Sequence, residues 1–268
     1  MSSALSCRAE LSETLHKRKR SDMISGCTLS RGFFDQDCQT LARALLGQTL
    51  VRVVDGERLS GRVTEVESYL GGDDEASHSH HGKRTPRNEP MYMQPGTAYV
   101  YAIYGSYHCF NISSRGAGSA VLIRALEPLE GEERMRDLRD AKRSSAKRNS
   151  SPGKRTTRLK THQICNGPSK LCIALSINKD ECNKLDLCSS PILFLEEGTH
   201  VSDSEVVTCK RVGIDRVAQP WRDAPLRYYV RGSCCVSVRD RLTENISGDA
   251  DQTNGVVEQE ATLSKSSC

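Results

Sequence analysis

Glu65 and Glu67 lie two residues apart in the alternating stretch 59–67 (L-S-G-R-V-T-E-V-E), and both share parity with Tyr69. In a strand that spacing sends the two acids and the tyrosine to one side, away from Val66. A carboxylate near a strand end, followed by aromatics and a glycine-rich loop, has what a general base needs. An acid on the solvent face of an antiparallel strand has the same pattern, and periodicity alone favours that plainer reading. A second group of residues is aromatic. Four of the eight tyrosines fall within 99–107 in a chain only 5 % aromatic, so the cluster is a local feature and not a by-product of composition. Tyr99 and Tyr101 share one strand face, and Tyr104 stands beside Gly105, where a turn projects a side chain outward. The cluster suits a platform on which a nucleobase stacks, plus a wedge. It also suits ordinary cross-strand aromatic pairs.

The loop 71–96 carries His78, His80 and His81, then Lys83, Arg84 and Arg87. Three histidines in four positions raise the question of a metal. An extended H-x-H-H does not align ligands as an i, i+4 pair on a helix does, and no acid completes a known motif, so no metal site is expected. The cations suit phosphates. So does Lys170 in N-G-P-S-K, where Ser169, Lys170 and the free N–H groups of a helix start could hold one, although Pro168 equally marks an ordinary first turn.

These residues need a frame. Asp37 can cap a helix bearing Leu41, Ala42, Leu45 and Leu46 on one face, with Gly47 as its stop. Residues 49–54 and 59–67 read as strands joined at Asp55-Gly56, a hairpin signal. Further strands are expected at 97–104, 107–113, 119–126, 191–196, 205–212, 226–231 and 234–239, and helices at 130–140 and 168–176. Strands outnumber helices and short turns join most of them. The fold class expected is therefore α+β, a single mixed domain with a curved, largely antiparallel sheet and flanking helices. Regular helical crossovers, which a parallel sheet needs, are missing.

The 268 residues suit one sizeable domain with tails. Residues 1–28 read as a disordered basic N-terminal tail, 29–243 as the folded domain and 244–268 as a disordered C-terminal tail. Within the domain, 141–162 reads as a flexible basic loop, with eight Lys or Arg and no acid over 141–160. The run His16-Lys17-Arg18-Lys19-Arg20 fits a nuclear import signal or a solvated basic tail. No apolar run approaches the roughly 20 residues that span a bilayer, and no membrane partner or secretion signal is expected. The twelve cysteines contain no C-x-x-C pair, which favours reduced, mostly buried thiols.

Nine strings, in order over about residues 30–242, carry a resemblance: F-F-D-Q (33–36), L-A-R-A-L-L-G (41–47), E-V-E-S-Y-L-G (65–71), T-P-R-N (85–88), P-G-T-A-Y-V-Y-A-I-Y-G (95–105), N-I-S-S (111–114), L-I-R-A-L-E-P-L-E-G (122–131), G-P-S-K-L-C (167–172) and Y-V-R-G-S (229–233). The chain resembles the alkyladenine, or N-methylpurine, DNA glycosylases. The resemblance overturns the solvent-face reading of Glu67. It implies a monofunctional enzyme with no metal or organic cofactor, a monomer acting in the nucleus, and in mitochondria too, on double-stranded DNA containing damaged purines. It implies that Glu67 is the general base, and that Arg124 and the main-chain carbonyl of Val212 help hold the attacking water. It implies a flipped base stacked between Tyr69, His78 and Tyr101, its edge read by backbone groups near Ala76 and His78, with Asn111 crowding the exocyclic amine of a normal guanine. Tyr104 becomes the intercalating wedge, and Lys83, Thr85, Arg87, Met91, Ser169, Lys170 and Lys179 become DNA contacts. Two departures stand out. Ser106 replaces a bulky apolar neighbour of the wedge, and the basic loop is longer than the family pattern. Three rival functions remain: a noncatalytic binder of damaged DNA, a metal-dependent hydrolase built on the histidines, and a purely structural module.

Overall fold

In the computed structural model of the protein, residues 27–147 and 157–244 are described. The basic run at 16–20, most of the two expected tails and the centre of the expected loop 141–162 lie outside the described residues. Asp37 does cap a helix: its side chain accepts from the Thr40 amide, and the helix ends before Gly47, whose φ of 84° an L side chain rarely adopts. A short helix, α1 (Arg31–Phe34), precedes this one, α2 (Cys38–Leu45). Then come β1 (Thr49–Val54) and β2 (Glu57–Tyr69), turned at Asp55 and Gly56, both with positive φ as the hairpin signal requires. β3 (Ala98–Ile103), β4 (Tyr107–Ser113) and β5 (Ala120–Glu130) form a meander, followed by α3 (Glu132–Lys147), α4 (Thr161–Ile164), α5 (Pro168–Ala174) and α6 (Lys179–Cys182). β6 (Leu193–Glu196), β7 (Val206–Cys209) and β8 (Arg227–Val230) complete the sheet.

The eight strands run β3-β4-β5-β2-β1-β6, with β8 also pairing β2 and β7 pairing β8, and every pairing is antiparallel. The α+β class is therefore the one observed. β2 is the centre: one edge lies along β5, while the other pairs with β1 up to Arg62 and with β8 from Glu65. One face of the sheet meets the helices. Leu41, Ala42 and Leu45 of α2 and Leu171 and Cys172 of α5 are buried there with Val66, Ile123, Phe110 and Val100. The site uses the opposite face.

Three expectations need correction. Residues 234–239 form no strand, because their polar groups are taken from elsewhere: the Ser237 amide donates to the Glu65 carboxylate and the Val238 carbonyl accepts from Arg227. The expected helix 130–140 runs on to Lys147, so the first seven residues assigned to the basic loop are helical, and Thr161 and His162 belong to α4. The boundaries also widen, since Thr28 bridges to Glu196 and Glu244 accepts from Arg231.

Candidate active site

A single cross-strand row sets out the site. Tyr99 on β3 pairs with Asn111 on β4, Asn111 with Leu122 on β5, Leu122 with Glu67 on β2, and Glu67 with Arg227 on β8. Paired residues point to the same face, so Asn111 and Glu67 share a face two strand spacings apart, about 10 Å. Residues two positions along those strands, Tyr101, Arg124, Glu65 and Tyr69, extend the row into a patch.

Glu67 is fully buried and held by three donors. The Tyr69 hydroxyl donates to its Oε2 at 2.9 Å, the Val212 amide to its Oε1 at 2.7 Å, and Arg124 Nη1 lies 3.1 Å from Oε1. Val212 thus reaches Glu67 through its N–H, where the resemblance assigned a role to its carbonyl. Burial opposes the charge on Arg124, but Glu67 and Glu65 outweigh it and hold the guanidinium more firmly protonated than usual. The Tyr69 hydroxyl is pushed well above the usual tyrosine range by burial first and by Glu67 second, so it stays a donor.

Beside the carboxylate lies a slot of about 70 Å³, enough for several waters. Its walls are Tyr69, His78, Tyr99 and Tyr101, with Met91, Ala76 and Asn111 completing it. The rings of His78 and Tyr101 meet edge to face at 4.7 Å, and His78 Nδ1 lies 2.9 Å from the Tyr99 hydroxyl. Although one part of His78 is exposed, burial of the rest and the nearby Arg87 pull its pKa from 6.5 to about 4. The ring is neutral at pH 7. Burial pushes Tyr99 up to about 12. Asn111 donates to the Tyr99 carbonyl at 3.1 Å, which fixes the amide at the slot's back.

The loop forming the outer wall is tied down from within. Asp74 accepts from the amides of Leu70 and Ala76 and forms a two-bonded pair with Arg211, both side chains fully buried. The Arg211 guanidinium also lies 4.9 Å from the Tyr69 ring centroid. Ser79 donates to the Gly118 carbonyl, and Asn88 donates to the carbonyls of His78 and Lys83. His80 and His81 stack on each other at 3.7 Å, and among the described residues no three His, Cys, Asp or Glu side chains converge as a metal-ligand set.

The other expected residues fall into two groups. Tyr104 is 91 % exposed at the tip of the β3–β4 hairpin with a positive φ of 47°, while Lys83, Arg87, Lys170 and Lys179 are also exposed. Lys170 donates to Asn166 at 2.8 Å, and the Arg87 guanidinium lies 5.1 Å from the Tyr101 ring centroid, at the slot. Met91 and Thr85, also expected among the DNA contacts, are less exposed, Thr85 being half-buried. Met91 is buried in the slot wall with Tyr99 and Ala120, and the Thr85 hydroxyl is bonded to Asn88. Ser169 is half-buried at the start of α5. Sequence reasoning put Tyr99 in the aromatic platform without assigning it to the slot, and missed three residues that hold the loop. Tyr99 was marked by sharing parity with Tyr101. Asp74, Asn88 and Arg211 carried no signal, because their partners are set by the path of the loop.

The profile of the family described as methylpurine-DNA glycosylase (MPG) matches residues 32–234. The chain belongs to the methylpurine-DNA glycosylase family. Its relatives include the DNA-3-methyladenine glycosylase of Mus musculus, 51 % identical over 217 residues, or 80 % of this chain and 62 % of the mouse protein. The human DNA-3-methyladenine glycosylase is 51 % identical over 214 residues, covering 79 % of this chain and 68 % of that protein. A putative 3-methyladenine DNA glycosylase of Clostridium botulinum is 46 % identical over 213 residues and 99 % of its own length. The chain therefore spans less than two thirds of the mouse relative but nearly all of the bacterial one. In this methylpurine-DNA glycosylase family member, the matched stretch contains every residue of the carboxylate cluster and slot except Ser237.

Proposed function

We propose that the protein is a base-excision-repair DNA glycosylase that flips alkylated or deaminated purines out of duplex DNA and hydrolyses the N-glycosidic bond. The substrates are 3-methyladenine, 7-methylguanine, hypoxanthine and ethenoadenine, and the product is an abasic site. The observation that carries the reading is a fully buried Glu67, its oxygens ordered by Tyr69, Arg124 and Val212, one hydroxyl away from an aromatic slot. A base within a duplex is out of reach of such a carboxylate, so it must be extruded at a cost of a few kcal/mol. Tyr104, exposed at its hairpin tip, fills the gap left in the stack. A purine alkylated at N3 or N7 is cationic, and an aromatic wall favours a cation by about 0.5–2 kcal/mol. The neutral state of His78 adds no like-charge repulsion against that cation. Backbone groups near Ala76 and His78 read the base edge, and Asn111 crowds an extra amino group.

Glu67 takes the proton from an attacking water while its charge offsets the positive charge that develops on the sugar. Alkylation makes the base a good leaving group, so little acid assistance is needed for it. No lysine lies among the slot residues, and the reading is of a monofunctional enzyme that does not cut the strand. The carboxylate cluster and the slot both draw on residues of one chain, and the protein is read as acting as a monomer. Lys83, Arg87, Lys170 and Lys179 supply backbone contacts, and nuclear residence follows from the substrate and from the basic run at 16–20. Glu67→Gln is expected to abolish release of hypoxanthine or 7-methylguanine from a duplex in a single turnover and to retain lesion binding. Release at the wild-type rate would refute the assignment.

A further inference from the structure

Glu67 is not the only buried acid on its strand. Glu65, also 0 % exposed, is the more heavily bonded of the two. Its Oε1 accepts from Arg124 Nε at 2.9 Å, from Arg227 Nη1 at 2.9 Å and from the Ser237 hydroxyl at 2.9 Å, and its Oε2 accepts from the Ser237 amide at 2.6 Å. None of these contacts touches the slot. All of them bear on Arg124. A guanidinium can offer a carboxylate two parallel N–H groups, either Nε with one Nη or the two Nη groups together. In Arg124 the Nε is committed to Glu65, and Nη2 lies 3.1 Å from the Ser237 hydroxyl. Held side-on in this way, the guanidinium meets Glu67 through Nη1, at Oε1. The other oxygen of Glu67, Oε2, accepts only the Tyr69 hydroxyl.

We propose that Glu65 is the positioning residue of this site: by engaging Arg124 side-on, together with Arg227 and Ser237, it restricts that arginine to one contact with Glu67 and so preserves a carboxylate oxygen for the attacking water. The inference rests on the reading of Glu67 as general base. Without Glu65, Arg124 is free to turn its fork onto Glu67. Both oxygens would then be occupied by a charge-assisted pair, and the water would lose its acceptor. The charges agree with this role. Glu65 and Glu67 are balanced by Arg124 and Arg227, so the buried set is neutral, whereas two acids sharing Arg124 alone would not be.

The groups facing Glu67 are Tyr69 from β2, Arg124 from β5, Arg227 from β8, Cys109 from β4, Cys209 from β7, and Arg211 and Val212 from the segment after it. Removing the charge of Glu65 leaves the cations in that set with one fewer anion to oppose them. Release that depends on an anion within that set is then expected to run more slowly and to persist to lower pH.

The test is single-turnover release of hypoxanthine from a defined duplex across pH, with lesion affinity measured by fluorescence anisotropy. Glu65→Gln is expected to bind the lesion duplex within about threefold of wild type, to release base about a hundredfold more slowly, and to move the acid limb of the pH profile to lower pH. Glu65→Asp keeps the charge, so its limb stays at the wild-type position while its rate falls between the two. Release by Glu65→Gln near the wild-type rate overturns the proposal. A slower rate with an unmoved limb also overturns it, since that marks a purely structural loss. If Glu65→Gln does not fold, Ser237→Ala, which frees Arg124 Nη2 without changing charge, is expected to slow release with the limb unmoved, and an unchanged rate there overturns the proposal. The two failures are distinct. Wild-type protein that releases no damaged base sinks the glycosylase reading, whereas active wild type with an equally active Glu65→Gln sinks this inference alone.

Discussion

His78 shows how one side chain is adjusted by its surroundings. The chain brings it under Tyr99 and Tyr101 and near Arg87, and burial followed by that cation lowers its pKa from 6.5 to about 4. The sign of the effect on stability follows. The unfolded chain takes up a proton at His78 near pH 6.5, whereas the folded chain does so only near pH 4. This residue therefore contributes nothing to pH dependence above about pH 6.5, and the folded state loses ground as pH falls from there to about 4. An NMR titration of the His78 ring is expected to show a midpoint near 4. Arg87→Ala should raise that midpoint, since it removes a charge that disfavours imidazolium. A midpoint that stays put in Arg87→Ala would mean that burial alone sets it. The functional corollary is selective. Protonating His78 below about pH 4 should weaken binding of a duplex with cationic 7-methylguanine more than one with neutral hypoxanthine.

At the scale of elements, the β3–β4 hairpin holds Tyr104 out at positive φ, a conformation that costs an ordinary residue about 1–2 kcal/mol. Strain of this kind is kept where a side chain must stand in a particular place. Tyr104→Gly relieves the strain but adds a comparable entropic cost in the unfolded chain, so stability should change by less than about 1 kcal/mol. Base flipping, read by a fluorescent base analogue opposite the hairpin, should fall sharply, and Tyr104→Ala should match it. A flipping equilibrium equal to wild type in both would remove the wedge. The hairpin, α2 with its Asp37 cap and the Asp55-Gly56 turn were all legible in the sequence, because each is signalled by residues close together along the chain. The centre of the sheet was only half legible. Strict alternation places Val63 on the same side as Glu65 and Glu67, yet Val63 is in the core with Val66. Thr64 is passed over between the pairs Val63↔Leu126 and Glu65↔Ala125, and Arg124 between Glu65↔Ala125 and Val66↔Ile123. These two bulges, on facing strands, turn Glu65 to the site face and set Arg124 between the acids. No Gly or Pro marks either of them, so no local pattern announces them. The segment 234–239 was misread for a similar reason. Its Ser237 amide answers to a carboxylate 172 residues away.

At the scale of the whole molecule, one buried ion pair joins the stability of the domain to the shape of the slot. Asp74 and Arg211 are both fully buried and doubly bonded, and Arg211 also donates to the Ser68 carbonyl and lies against Tyr69. The pair links the outer loop to β2 and to the segment that brings Val212 to Glu67. Removing one partner of such a pair leaves an uncompensated charge in the interior, at a cost of about 3–5 kcal/mol. In a domain of this size that lowers the thermal midpoint by on the order of 10 °C. Asp74→Asn is expected to lose this much in urea and thermal unfolding. At a temperature where it remains folded, it should also bind a hypoxanthine duplex more weakly while its affinity for undamaged DNA is unchanged, because backbone contacts do not depend on the slot. An apolar pair, Asp74→Leu with Arg211→Met, should recover much of the stability by removing both charges together. It should not recover lesion affinity, since neither side chain can accept from Leu70 and Ala76 or donate to the Ser68 carbonyl. Recovery of both together would mean that the pair serves stability alone and that the slot is shaped by other contacts.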